Sequence, residues 1–192
     1  LEDGRILSGG NFHGQPLAVA ADYLGICLCS LGNISERRTA RMMDPQKSGL
    51  PAFLTGEGGL NSGLMLLQYM AASLVSENKV LAHPSSVDTV PTSADQEDHV
   101  SMSTTAARKA RDIAKNVSYV LAAEYLSACQ AVEFIDKNGL SPAAHAAYSL
   151  LREHIPALYE DRPLSPDLEH ARWLIISGEL EKAVTQKVGN LE

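Results

Sequence analysis

The longest uninterrupted pattern in the chain runs from about residue 96 to 137 without a proline, and the next glycine is Gly139. Ala106, Ala110, Ile113, Val117, Val120, Leu121 and Tyr125 recur at the three-to-four spacing of one helical stripe. A helix of about forty residues would be ~60 Å long, more than a small compact domain spans. Such a rod needs other helices against its apolar stripe along its whole length. An extended bundle or an oligomer is therefore expected.

The rest of the chain agrees with that expectation. Pro16 fits the first turn of a second long helix running to about Met43. Its first half, "PLAVAADYLGICLCSLG" (16–32), is apolar nearly all round, which predicts burial among several helices. That run contains Asp22 and falls short of the ~20 residues a bilayer needs, so no membrane span is expected. "DPQKSGLPAFLTGEGG" (44–59) reads as a long loop. "GLMLLQYMAASLVSENKVLAH" is the next helix, with Asn61 or Ser62 as its N-cap.

"PSSVDTVPTSAD" (84–95) is a second loop, bounded by Pro84 and Pro91. After Gly139 the helices shorten. Ser141-Pro142 and Ser165-Pro166 each offer an N-cap serine with proline behind it, and "PALYEDRPLSP" between those helices reads as an exposed linker. "GELEKAVTQKVGN" makes a last short helix. No segment sustains period-2 alternation. The fold class is all-α, a long-helix bundle. Residues 1–138 are expected in its central part together with the loops, and 139–192 in a C-terminal short-helix region.

Hydrophobic residues make up 45% of the 192, enough for a real core. A formal net charge of −7 argues against a nucleic-acid partner, since phosphate binding needs a basic face. The start, Leu1-Glu2-Asp3-Gly4, has no secretory signal pattern. Cys27, Cys29 and Cys129 are odd in number and lie in apolar helical stretches, which predicts free buried thiols in a reducing compartment. Cys27-x-Cys29 lacks the second pair that zinc requires.

One stretch holds chemistry that the helical pattern does not explain. "PTSADQEDHVSM" (91–102) gathers Asp95, Gln96, Glu97, Asp98 and His99. Ser93 and Gln96 fit a capping box opening the long helix, with the acids complementing its dipole. A metal site is a weaker reading, because Glu97 and His99 are two apart and face different ways on a helix. A third reading has Glu97 projecting into a ligand cleft. "LSGGNFHGQP" (7–16), with Asn11, Phe12 and His13, and "GEGGLNSGLM" (56–65) share the pattern of a glycine-rich turn feeding a helix. Each taken alone is equally well a plain turn.

Together these stretches carry a resemblance. "SGGNFHGQPLAVAADYL", "SERRTARMMDPQKSGLPAFL", "GGLNSGLMLLQYMAASLVSENK", "LAHPSSVDTVPTSADQEDHVSM" and "LAAEYLSACQAVEF" resemble, in order and spacing, the C-terminal half of the histidine ammonia-lyases. Those enzymes are a branch of the aromatic amino acid lyase family. The resemblance implies an all-α homotetramer in the cytoplasm with long helices at its centre. It implies removal of ammonia from L-histidine to give trans-urocanate, through an electrophilic methylidene-imidazolone group built from the protein's own Ala-Ser-Gly.

The resemblance also assigns positions. Phe12 matches the family's aromatic residue beside the prosthetic group, and Met65 a residue lining the substrate side-chain pocket. Glu97 matches the glutamate near the substrate imidazole; phenylalanine-specific relatives carry "NQD" here, so "QED" favours histidine. Asn11, His13 and Gln96 flank these positions without an assigned role. No metal ligand is implied, and no catalytic residue is assigned within these residues. No Ala-Ser-Gly occurs among the 192 residues. The chain is therefore expected to be a fragment, inactive without its own N-terminal half. The alternatives are a non-catalytic helical assembly module related to the lyases, or a lyase acting on another aromatic amino acid.

Overall fold

Small and polar residues, rather than large apolar ones, form the buried stripe of the first helix. The structure, a computed structural model, describes residues 1–7, 9 and 12–189, so Asn11 lies outside the described residues. Helix α1 (Gln15–Met43) starts close to where Pro16 predicted. It buries Ala18, Asp22, Ser35, Glu36, Thr39 and Met43. Its large side chains Leu17, Val19, Tyr23, Leu24 and Ile26 are instead exposed, where burial was expected. By length and composition α1 is also the one described helix apolar enough to cross a membrane. A helix with its small residues turned inward and its large apolar residues outward has an uncovered face.

The chain divides into two compact units, residues 1–29 with 78–114, and residues 30–77 with 115–192. The first unit holds the start of α1 and the start of the long helix, α4 (Ser103–Ala131). Ala18, Ala106, Ala110 and Ile113 are buried there. Gly14 lies so near α4 that a Cβ on it would come 2.6 Å from Ser103 Oγ. Asp22, in the middle of the apolar run, accepts a hydrogen bond from Ser86 N–H at 2.7 Å. Lys109 stands 4.0 Å from the Asp22 carboxylate and donates to the Ser85 hydroxyl and the His83 carbonyl. A buried charge is tolerated here because a cation and a backbone donor both meet it.

The second unit contains the main core. α2 (Pro45–Ser48) is capped by Asp44, whose side chain accepts from Gln46 N–H. A single 3₁₀ turn at Ala52–Leu54 follows, so the long loop expected over 44–59 has structure of its own. Leu64, just before α3 (Met65–Leu81), Leu67 of α3 and Ala122, Ala123 and Leu126 of α4 pack against Leu151, Ile155, Leu168 and Leu174. The last four come from α5 (Pro142–His154), α6 (Ser165–Ile176) and the residue just after α5. The chain closes with α7 (Glu179–Val188).

Ser141 caps α5 as its sequence predicted, accepting from Ala144 N–H. Ser165 does not cap α6: Leu164 occupies that position, and Ser165 is already helical. Among the described residues there are isolated β-bridges but no named strand, in keeping with the all-α class.

The three cysteines are free, and only Cys129 is buried; Cys27 is exposed on α1. Burial pushes the Cys129 thiol up to about 12, with Arg152 opposing the shift and Glu133 adding to it. Cys129 is therefore a packing residue rather than a nucleophile.

Candidate functional site

The acidic stretch is a closed loop, not the first turn of a helix. α4 begins at Ser103, later than the expected start near 96. Thr89 Oγ1 accepts from Val100 N–H at 2.8 Å and donates to the Val100 carbonyl at 3.2 Å, closing the base. Inside it Thr92 and Glu97 exchange backbone hydrogen bonds of 3.1 and 3.3 Å. At the tip Ser93, Ala94 and Asp95 take φ values of 55°, 54° and 66°. Three successive residues with side chains in the left-handed region cost about 1–2 kcal/mol each. The two closures hold the tip in that conformation.

The capping box therefore does not form. Gln96 N–H bonds the Ser93 carbonyl across the left-handed tip instead. Glu97 is exposed on the loop and is not at a helix N-terminus. The Glu97, Asp98 and His99 side chains stand on irregular backbone, and no group of three metal-ligating side chains gathers among the described residues.

His13, just before α1, is fastened to this loop. His13 Nδ1 accepts from Gln15 N–H at 3.3 Å. That assigns the ring proton to Nε2, which donates to the His99 carbonyl at 2.8 Å. The His13 and His99 rings stack at 5.2 Å between centroids and 9° between planes. Phe12 stands edge-on to His13 at 6.1 Å and is 90% exposed. Further along, Gln15 Nε2 donates to the Ser86 carbonyl, tying α1 to the start of the same long loop.

Two of the three sequence-assigned positions, Phe12 and Glu97, thus sit in the same unit on two loops joined by His13. The joining residue carried no sequence signal beyond its place next to Phe12. The third position, Met65, belongs to the second unit. It is half-buried at the first turn of α3 and lines a cavity of about 460 Å³ with Ser62, Gly63, Leu66, Asp161 and Leu164.

Gly63 makes that turn possible. Its φ is +58°, and a Cβ on it would meet the Phe53 carbonyl oxygen at 2.5 Å. Asn61 was expected as an N-cap, but its side chain accepts from Asp161 N–H at 3.1 Å instead.

Within the first unit Phe12 leaves its ring uncovered and Glu97 stands on a loop closed by its own backbone; within the second, Met65 lines its own cavity. Comparison with known proteins agrees on the family. The sequence model of the aromatic amino acid lyases matches residues 1–153. Histidine ammonia-lyase from Symbiobacterium thermophilum is 59% identical over 191 residues, covering 100% of this chain and 38% of that protein. The enzyme of the same name from Alkaliphilus oremlandii is 54% identical over 187 residues, covering 97% of this chain and 37% of its own length.

Among solved structures, histidine ammonia-lyase from Trypanosoma cruzi superposes with a TM-score of 0.91 at 45% identity, over 97% of this chain and 37% of that one. Tyrosine aminomutase from Streptomyces globisporus gives a TM-score of 0.91 at 39% identity, over 100% of this chain and 37% of that one. The chain spans little more than a third of the length of the relatives it matches. With its helices superposing on lyase and aminomutase structures and its sequence matched along most of its length, the chain belongs to the aromatic amino acid lyase family.

Proposed function

We propose that this chain is the C-terminal portion of a histidine ammonia-lyase, which converts L-histidine to trans-urocanate and ammonia. Relatives of that name at 59% and 54% identity support the substrate. Gln96-Glu97-Asp98 supports it against phenylalanine or tyrosine. The observation that carries the reading is the bond from His13 to the His99 carbonyl, which fastens the loop of Phe12 to the loop of Glu97.

Elimination of ammonia faces two obstacles: the β-hydrogen of histidine is barely acidic, and ammonium leaves poorly. The family's electrophilic group, in the complete protein, would supply the means of capturing the amine and so meet the second obstacle. Its Ala-Ser-Gly is not among these 192 residues, so none of them builds it. Phe12 fits such a planar group as a flanking wall, because its ring is uncovered, and it would exclude water there. Glu97 accepts a hydrogen bond from the substrate imidazole N–H and orients the ring. Met65 borders the side-chain pocket.

Residues 1–138 are proposed to serve the central bundle with its pocket loops, and 139–192 a C-terminal region. The uncovered apolar face of α1 supports packing against the N-terminal half and other copies in a homotetramer. The proposed location is the cytoplasm, which the free thiols support.

The test uses the complete protein. Glu97→Gln should lower kcat/KM for L-histidine by about tenfold or more with an unchanged melting temperature. A variant with wild-type turnover removes Glu97 from the pocket. The isolated 192-residue chain should form no urocanate; steady urocanate production by it would overturn the fragment reading.

A further inference from the structure

Asp161 lies beyond the residues matched by the family model, in the segment whose sequence reads as an exposed linker, and it is exposed. Its carboxylate and its backbone N–H are nonetheless both bonded. Its two carboxylate oxygens accept separately from consecutive backbone donors: Ser62 N–H at 2.8 Å and Gly63 N–H at 2.9 Å. Asp161 N–H in turn donates to Asn61 Oδ1 at 3.1 Å. Two successive amides next to a left-handed glycine form an anion-binding concavity, and this carboxylate fills it.

The neighbouring residues hold Asp161 in place. Arg162 donates to the Ala157 and Pro156 carbonyls and pairs with Asp167 at 2.8 Å. Buried Gln130, on α4, accepts from Leu158 N–H at 3.0 Å and donates to the Leu158 carbonyl at 2.8 Å. Asp161 and Met65 border the same cavity of about 460 Å³.

We infer that Asp161 is a positioning residue for the substrate pocket, clasping the turn that sets where Met65 enters it. This rests on the reading of Met65 as pocket wall. The clasp fixes Asn61–Gly63 from a distant part of the chain, so it sets the backbone from which α3 and Met65 begin. A merely structural role would lower stability and leave substrate binding alone.

The experiment uses the complete protein with Asp161→Ala, Asp161→Asn and Met65→Ala. Steady-state kinetics on L-histidine are combined with amide hydrogen exchange over residues 57–65. Asp161→Ala should speed exchange at Ser62 and Gly63 and raise KM by about fivefold, with kcat nearly unchanged. Asp161→Asn keeps one acceptor oxygen and should fall between it and wild type, which serves should the alanine variant fail to fold. Unchanged exchange in both variants would overturn the clasp. Faster exchange with an unmoved KM, while Met65→Ala raises KM, would overturn the positioning role and leave the pocket reading standing. An unmoved KM in Met65→Ala would remove the pocket reading and this inference with it.

Discussion

The imidazole of His13 lies flat on that of His99, with the planes 9° apart, while its Nε2 donates to the His99 carbonyl at 2.8 Å. One side chain thereby joins two loops 86 positions apart in sequence. His13→Phe would keep a stacked ring and lose both hydrogen bonds. In the complete protein it should cost about 1 kcal/mol of stability. It should also cost about tenfold in kcat/KM, because Phe12 and Glu97 would no longer be held in register. Kinetics equal to wild type, with the stability loss present, would show that the clamp serves the fold alone.

Gly63→Ala forces a side chain into the left-handed region and against the Phe53 carbonyl, which accepts from Leu64 N–H at 3.0 Å. The expected loss is about 2 kcal/mol or more, read by chemical denaturation. Gly59 has φ +95° with nothing within 4 Å of its Cβ position, so Gly59→Ala should cost less. Equal losses would mean that the contact with Phe53 is unimportant.

Glu133 gathers three donors: Lys137 and Arg152, each at 2.8 Å, and the Tyr148 hydroxyl at 2.8 Å. Burial pushes its carboxyl up, but the hydrogen bonds from Lys137, Tyr148 and Arg152 outweigh that and hold it below the ordinary value. A depressed carboxyl stabilises the fold above its unfolded pKa, and that contribution is lost as pH falls through the lower folded value. Melting temperature should therefore drop on the acid side, starting near the ordinary glutamate value. Glu133→Gln should flatten that part of the profile. A mutant profile parallel to wild type below about pH 5 would remove Glu133 as the source.

Gln130 is buried and bridges three main-chain groups, donating to the Leu54 carbonyl at 3.3 Å and pairing both ways with Leu158. Gln130→Met fills similar space but leaves Leu158 N–H without its acceptor. About 2 kcal/mol of destabilisation is expected from thermal or urea unfolding. A change under about 0.5 kcal/mol would mean that water or a shifted loop takes the place of the amide.

The helices were legible where periodicity was strong. Ala106, Ala110, Ile113, Val117, Val120, Leu121 and Tyr125 predicted a stripe on α4; the first five are buried, and Leu121 and Tyr125 are half-buried. The start of α4 was not legible. Ser93 and Gln96 have the spacing of a capping box, yet that pattern does not encode whether Ser93, Ala94 and Asp95 turn left-handed. The bonds that hold them there come from Thr92 to Glu97 and from Thr89 to Val100. α1 misled in a different way. Its apolar residues predicted burial, but within this chain α1 buries Ala18, Asp22, Ser35, Glu36, Thr39 and Met43, while Leu17, Val19, Tyr23, Leu24 and Ile26 are exposed. Composition reports that a surface is apolar, not which chain covers it.

By itself the sequence determined the helical class, the main helices and the family, because hydrophobic period and motif order are properties of neighbouring residues. Only the tertiary structure decided that Glu97 sits on a closed loop and that His13 fastens it to Phe12. It also decided that Asp161 reaches back 100 positions to Asn61. Those contacts depend on which backbone donors and acceptors the packed helices bring together, and no local repeat records that.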